Sequence, residues 1–380
     1  RQETVTPEQW KGFITALAPI RLENPTVMKG LPRSVSFFEA YGITKPEELD
    51  LRTRWSAGHP ESSMNVTIGA GQGGETVGFD IHPNRRGAHG IFVGGTASGK
   101  TTMVRAWVLS MAATFSPERV TFVLVDFKEP GLLTGLKALP HVVGTVGKLD
   151  VDIERNLTAL KSEIRRRQKV YAAADAINIY DYLEKHYSGD PSAAEPMPFL
   201  YIVVDELNEF KMWSRDGAGG NWMMLLDQLY QTGSALGVHI IAGSQTPGPF
   251  SPVMFSNAHF RWCLRTNEPG DSKMMLGNTD AFDIRTKGRA FLCVGSETEE
   301  IQPMYADNTY YTPEELKDYP ERDMAMVSLT GERRSIRRKK GAHASELETL
   351  VDYIARYTER SGIAVPPKIW PERLPDTLLL

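Results

Sequence analysis

Cysteine is nearly missing from this chain: Cys263 and Cys293 are the only two in 380 residues. Each sits inside an apolar run, Phe260–Leu264 and Ala290–Val294, so both read as strand-core residues. No ligand cluster surrounds them, which argues against a disulfide framework or a cysteine metal site and fits a reducing cytoplasm. Long apolar runs are missing too. The longest, around Phe199–Val204, has the length of a strand. It falls far short of the roughly 18 residues that span a bilayer. No secretory leader pattern is present. The chain opens on Arg1 and closes on Leu378–Leu380. It is therefore expected to be a piece of a longer protein, and the missing span says little about that parent. Excess charge is the third absence. The net charge is −4, so the global balance does not advertise nucleic acid as a partner.

What is present is ordinary for a globular protein: 41% hydrophobic and 24% charged residues. At 380 residues the chain fits one large α/β domain with flanking segments, or two domains. Residues 1–85 form a leading segment, 86–305 a core and 306–380 a trailing segment. The leading segment carries short helical signals at Thr6-Pro7-Glu8-Gln9, Ser34–Tyr41 and Lys45–Leu49, and the alternation Val66, Ile68, Val77, Phe79, Ile81 predicts a hairpin. From residue 90 strands and helices alternate. Strands are expected at Ile91–Val93, Thr121–Val125, Phe199–Val204, Val238–Ala242, Phe260–Leu264, Arg289–Val294 and Glu300–Met304. Helices are expected at Thr101–Ala113, Asp152–Tyr171 and Asn221–Leu236. That order implies an α/β fold with a mainly parallel central sheet flanked by helices, with small extensions at either end. One helix, Ala344–Arg360, is expected in the trailing segment, and Trp55, Trp213 and Trp370 are placed in loops.

Gly94-Gly95-Thr96-Ala97-Ser98-Gly99-Lys100-Thr101 matches G-x4-G-K-[ST] between a strand and a helix. Glycines let the backbone curl so that successive N–H groups face a phosphate, and the helix aims its N-terminus at the same anion. This is the pattern of an ATP site formed by Gly94 through Thr102. Lys100 reaches the β and γ phosphates, and the Thr101 hydroxyl is a ligand for Mg²⁺. Phe199–Val204 ends in Asp205-Glu206. Asp205 is expected to hold Mg²⁺ and Glu206 to deprotonate the attacking water. Gln245, at the tip of the next strand, is the candidate contact to the γ-phosphate. Asp126, which also ends a strand, either supports this site from behind or caps the chain. The basic run Arg333–Lys340, six Lys/Arg in eight residues, is either a solvated surface or a contact for nucleic acid, acidic lipid headgroups or an acidic partner. The Met- and Leu-rich stretch Met223–Leu229 reads as core.

Several further motifs carry a resemblance: Phe122-Val-Leu-Val-Asp126-Phe-Lys128, Val203-Val-Asp205-Glu206-Leu-Asn-Glu209, Ser234-Ala-Leu-Gly-Val-His239 and Ala242-Gly-Ser-Gln245. With Leu139-Pro-His141, Arg165-Arg-Arg-Gln168, Asp271-Ser272, Leu276-Gly277 and Ile369-Trp370-Pro371, the chain resembles the FtsK/SpoIIIE ATPases. Within them it is most similar to the first ATPase domain of the type VII secretion motors, from about residue 15 to the end. Glu129-Pro130-Gly131 and Ser272-Lys273 depart from the family's usual Gly-Gly and Ser-Arg. The resemblance implies a RecA-like fold and assembly with other copies into a ring or hexamer. It implies further ATPase domains in the same parent chain, secretion-system membrane subunits as partners, and export of small helical proteins. It places this part on the cytoplasmic side of a protein anchored at the bacterial inner membrane. An arginine supplied in trans is also expected, and Arg155, near the start of its helix and off the apolar stripe, is the first candidate; Arg261 is the second. A DNA translocase is the alternative, although DNA is not an expected partner at this charge. A nucleotide-gated assembly module that hydrolyses poorly is a third reading, against which Lys100, Asp205 and Glu206 stand.

Overall fold

The computed structural model describes residues 30–127, 131–147, 153–213, 218–318, 325–327, 333–335 and 343–370. Ten strands form one sheet in the order β2-β1-β10-β9-β8-β3-β7-β6-β4-β5. They are β1 Asn65–Ala70, β2 Thr76–Asp80, β3 Gly90–Val93, β4 Val120–Asp126, β5 Val142–Gly147, β6 Phe199–Val204, β7 Val238–Ser244, β8 Phe260–Leu264, β9 Ala290–Val294 and β10 Glu297–Pro303. The six strands from β8 to β5 run parallel; from β8 to β2 every pair is antiparallel. The parallel strands read as continuous apolar runs because both their faces are covered. In β6 all six residues are buried.

The alternation along these strands sorts the core into two layers. Ile91, Val93, Val123, Val125, Ile202 and Val204 face one way, and helices Ile153–Ala173, Ala218–Thr232, Pro252–Asn257 and Pro269–Leu276 cover them. Phe92, Phe122, Leu124, Tyr201 and Val203 face the other way. They lie beneath the P-loop helix Lys100–Thr114, the C-terminal helix Glu346–Ser361 and the leading helices Phe37–Tyr41 and Leu51–Ala57.

The expected α/β fold with a mainly parallel sheet is what forms. The leading hairpin is β1 and β2, and it joins the same sheet through β10. Ser36 and Glu39 form a capping box that starts Phe37–Tyr41, and Ser345 with Glu348 starts the C-terminal helix. Both cysteines are buried in strands, as expected. Three expectations need correction. Trp55 lies in a helix, not a loop. It is buried, its indole donates to the Ala112 carbonyl (3.0 Å), and its ring meets His141 and Tyr357 edge-on. Trp213 closes the helix Leu207–Trp213. Met224, within the supposed core stretch, is exposed, while Leu225, Leu226 and Leu229 are buried. Strand β5 and the helix Ile179–Tyr187 had no distinct signal; Val142–Gly147 is short and broken by Gly144 and Gly147, although all but one of its residues are buried. The signal at Thr6–Gln9 and residues 336–340 of the basic run lie outside the described residues; Arg333–Ser335 form a short strand paired with Ala325–Val327.

Candidate nucleotide site

Register places the chemistry in a row. Val93 pairs with Ser244, Val204 with Ala242 and Val125 with Val204. One residue further on, Asp126, Asp205 and Glu206 therefore emerge together at the carboxyl edge of β4, β6 and β7, beside the loop that follows β3. Ligands of open α/β sheets bind at that edge.

The loop from Gly94 to Gly99 is fixed by backbone bonds to its neighbours. Gly94 N–H reaches Ser244 O, Gly95 N–H donates to Arg265 O (2.8 Å), and Ser98 O accepts from Gly288 N–H (3.0 Å). Gly99 has φ 108° and stands at the N-cap of the P-loop helix, and a Cβ there would lie 3.0 Å from the Gly288 Cα. Glycine is the residue that accepts this backbone. Ala97 adopts φ 61°, a left-handed conformation that costs about 1–2 kcal/mol for a residue with a Cβ. Thr96 and Ala97 are exposed at the loop's tip. Lys100 is buried, and its ammonium donates to the Gly94 carbonyl and, at 3.5 Å, to that of Gly95. It is folded against the loop whose glycines face the same space.

Thr101 donates its hydroxyl to Asp205 Oδ2 at 2.7 Å. Among the described residues, Asp205 Oδ1 is buried with no hydrogen-bond partner. Burial pushes the Asp205 carboxyl up to about 6, against the Thr101 hydrogen bond and the Lys100 charge and with help from the Asp126 carboxylate. A hydroxyl and an orphaned carboxylate oxygen are the hard oxygen donors that suit Mg²⁺. Glu206, also buried, accepts from Ser244 Oγ at 3.3 Å. Gln245 accepts from Thr96 Oγ1 at 3.0 Å, which ties the tip of β7 to the loop.

Arg155 is exposed at the start of helix Ile153–Ala173, which follows the outermost strand β5. Strand β5, which precedes that helix, stands four strands from β3, about 19 Å across the sheet. Arg261 is engaged elsewhere, over the Phe255 ring (5.1 Å) and on the Met275 carbonyl (3.4 Å). In Arg165–Gln168, Arg167 is buried and braces Glu163 and the Pro198 carbonyl (each 2.8 Å).

Three neighbours of the loop were assigned no role from the sequence, although Ser244 lies inside the Ala242-Gly-Ser-Gln245 motif. Asn267 lies so close to Gly95 that a Cβ on the glycine would meet its Oδ1 at 2.3 Å. Ser244 holds Glu206. Asp307 accepts from Thr102 Oγ1 at 3.2 Å and closes one side of a cavity of about 370 Å³ beside the first turn of the P-loop helix. Asn267 and Asp307 come from loops remote in sequence from the motifs, and Ser244 from the tip of β7 beside Gln245.

Residues 50–279 match the FtsK/SpoIIIE family. The chain belongs to that family. It is 31% identical over 360 residues to the type VII secretion system protein EssC of Staphylococcus aureus, covering 92% of this chain and 24% of EssC. Over 367 residues it is 29% identical to the ESX secretion system protein YukB of Bacillus subtilis, covering 93% of this chain and 24% of YukB. The chain thus spans about a quarter of the length of these curated relatives. Among solved structures it resembles the cytoplasmic domain of the Thermomonospora curvata type VII secretion ATPase EccC. The TM-score is 0.71 at 25% identity, over 90% of this chain and 36% of that one. The family's RecA-like P-loop fold is the fold described above.

Proposed function

We propose that this chain is an ATP-hydrolysing motor unit of a type VII protein secretion system, coupling nucleotide turnover to export of small helical proteins. The observation that carries the chemistry is the Thr101–Asp205 hydrogen bond, which brings the loop, the acidic pair and the β7 tip into one site. The loop Gly94–Thr102 binds the phosphates of ATP through its N–H groups and the helix terminus. Lys100 leaves its carbonyl contacts for the β and γ oxygens. Thr101 and Asp205 would hold Mg²⁺, which when bound supplies charge neutralisation at the β and γ phosphates. Glu206 orients a water and takes its proton. Gln245 touches the γ-phosphate and, through Thr96, transmits its loss to the loop. Arg155 acts on the site of the next copy in a ring.

The same reading places the chain on the cytoplasmic face of a membrane-anchored parent, among further ATPase domains and membrane subunits. Among the described residues no helix is long and apolar enough to cross a membrane. In cells carrying the full-length parent, Lys100→Ala or Glu206→Gln should abolish export of the system's small secreted proteins, and duplex DNA should leave the ATPase rate of the purified unit within about twofold. Export that survives both substitutions would reject the secretion role. A large, salt-sensitive stimulation by DNA would instead support a translocase, because phosphate contacts release counterions.

A further inference from the structure

The cavity beside the P-loop helix is walled by two parts of the chain that the motifs do not include. Gly99, Thr102 and Met103 form one side; Arg33 from the leading segment and Tyr305 and Asp307 from the end of β10 form the other. Asp307 is the only carboxylate among its described lining residues. One carboxylate oxygen accepts from Thr102 Oγ1 (3.2 Å), two residues after Lys100, and the other pairs with Arg105 Nη1 at 2.9 Å. The Asp307 side chain is 38% exposed, so this doubly anchored group still faces solvent in the cavity.

Position decides its use. A nucleotide whose phosphates sit at the helix terminus must place its sugar next and its base beyond. Asp307, one hydrogen bond from Thr102 in the first turn, lines the cavity together with Met103. A cavity of about 370 Å³ lies within the range that holds a small ligand. An ionised carboxylate is acceptor-only and matches the donor pair of a ribose diol; carboxylates read ribose hydroxyls in the same way in other nucleotide folds. The Arg105 ion pair holds the group in place.

We propose that Asp307 is the sugar-selecting residue of the nucleotide site, accepting the ribose hydroxyls in a pocket closed by residues from both ends of the core. This rests on the ATP reading above. It also makes nucleotide binding a clamp between the segments flanking the core. Tyr305 N–H already bonds to Val35 O (3.0 Å), and Leu347 N–H, at the start of the C-terminal helix, bonds to Ala306 O (2.8 Å).

Calorimetric titration of the folded chain with ADP, 2′-deoxy-ADP and 3′-deoxy-ADP tests it, since none of these is consumed. The parent should bind at least one deoxy analogue about tenfold more weakly than ADP, the loss of a charge-assisted hydrogen bond. Asp307→Ala should bring the three affinities within about twofold, and Asp307→Asn, which keeps the shape and one acceptor, should fall between. A parent that binds ADP without discrimination, or a discrimination that survives in both variants, overturns the assignment to Asp307. A parent that binds neither ADP nor ATP overturns the nucleotide reading beneath it.

Discussion

Lys100 donates to carbonyl oxygens of its own loop, neutral acceptors that a triphosphate would displace. A phosphate gains from it the one mobile cation of the loop. Lys100→Ala is therefore expected to abolish ATP binding, read with a labelled analogue; undiminished binding would remove Lys100 from the site. Buried histidines set a second residue-scale expectation. Burial holds His89 down to about 3 and His141 to about 4, and holds His239, stacked between Phe199 and Tyr201, well below its ordinary value. The unfolded chain takes up these protons near pH 6.5 and the folded chain does not. Stability is thus complete above about pH 6.5 and falls as the pH drops towards 4. The urea midpoint should fall over that window, and His239→Phe should make the fall shallower; an equal slope in both would contradict this. The nucleotide motifs were legible because phosphate chemistry demands those residue types in a contiguous order. Asn267 and Asp307 were not, since each is brought to the site by the fold rather than by its sequence neighbours; Ser244 stood within a quoted motif, but its bond to Glu206 depends on the pairing of β6 with β7.

Elements were legible where burial is two-sided. Phe199–Val204 sits in the middle of the sheet and reads as an unbroken apolar run; Val238–Ser244 beside it reads as apolar apart from His239 and its Gly-Ser end. Edge strand β5 did not, and its outer side is met by the trailing chain: Ile369 N–H bonds to Val143 O (2.8 Å), and Trp370 lies where a side chain on Gly144 would. The helix Leu51–Ala57 was missed because seven residues show too little periodicity. Its anchor shows what it does. Trp55 fastens the leading segment to the P-loop helix by packing and by one hydrogen bond. Trp55→Ala should cost about 3–5 kcal/mol in urea unfolding, and Trp55→Phe should cost less. A loss below 1 kcal/mol for Trp55→Ala would mean that the two elements are held together elsewhere.

At the scale of the molecule, Arg155 is exposed near the start of the helix that follows β5, the strand at one end of the sheet. The proposed role for that exposed cation is at the site of a neighbouring copy. An arginine supplied in this way adds a factor of about 10³–10⁵ to phosphoryl transfer. Arg155→Ala and Glu206→Gln are each expected to be nearly inactive alone. Mixed, they should recover part of the rate, because one interface then joins an intact site to an intact arginine. Mixtures that assemble and stay inactive at every ratio would rule out this role. Everything above depends on hydrolysis at the Asp205–Glu206 edge. The direct measurement is ATP binding and turnover in the parent and in Glu206→Gln, whose amide keeps the shape of the side chain but accepts no proton. The account predicts unchanged ATP affinity with turnover lost; hydrolysis by Glu206→Gln at the parent rate would contradict it.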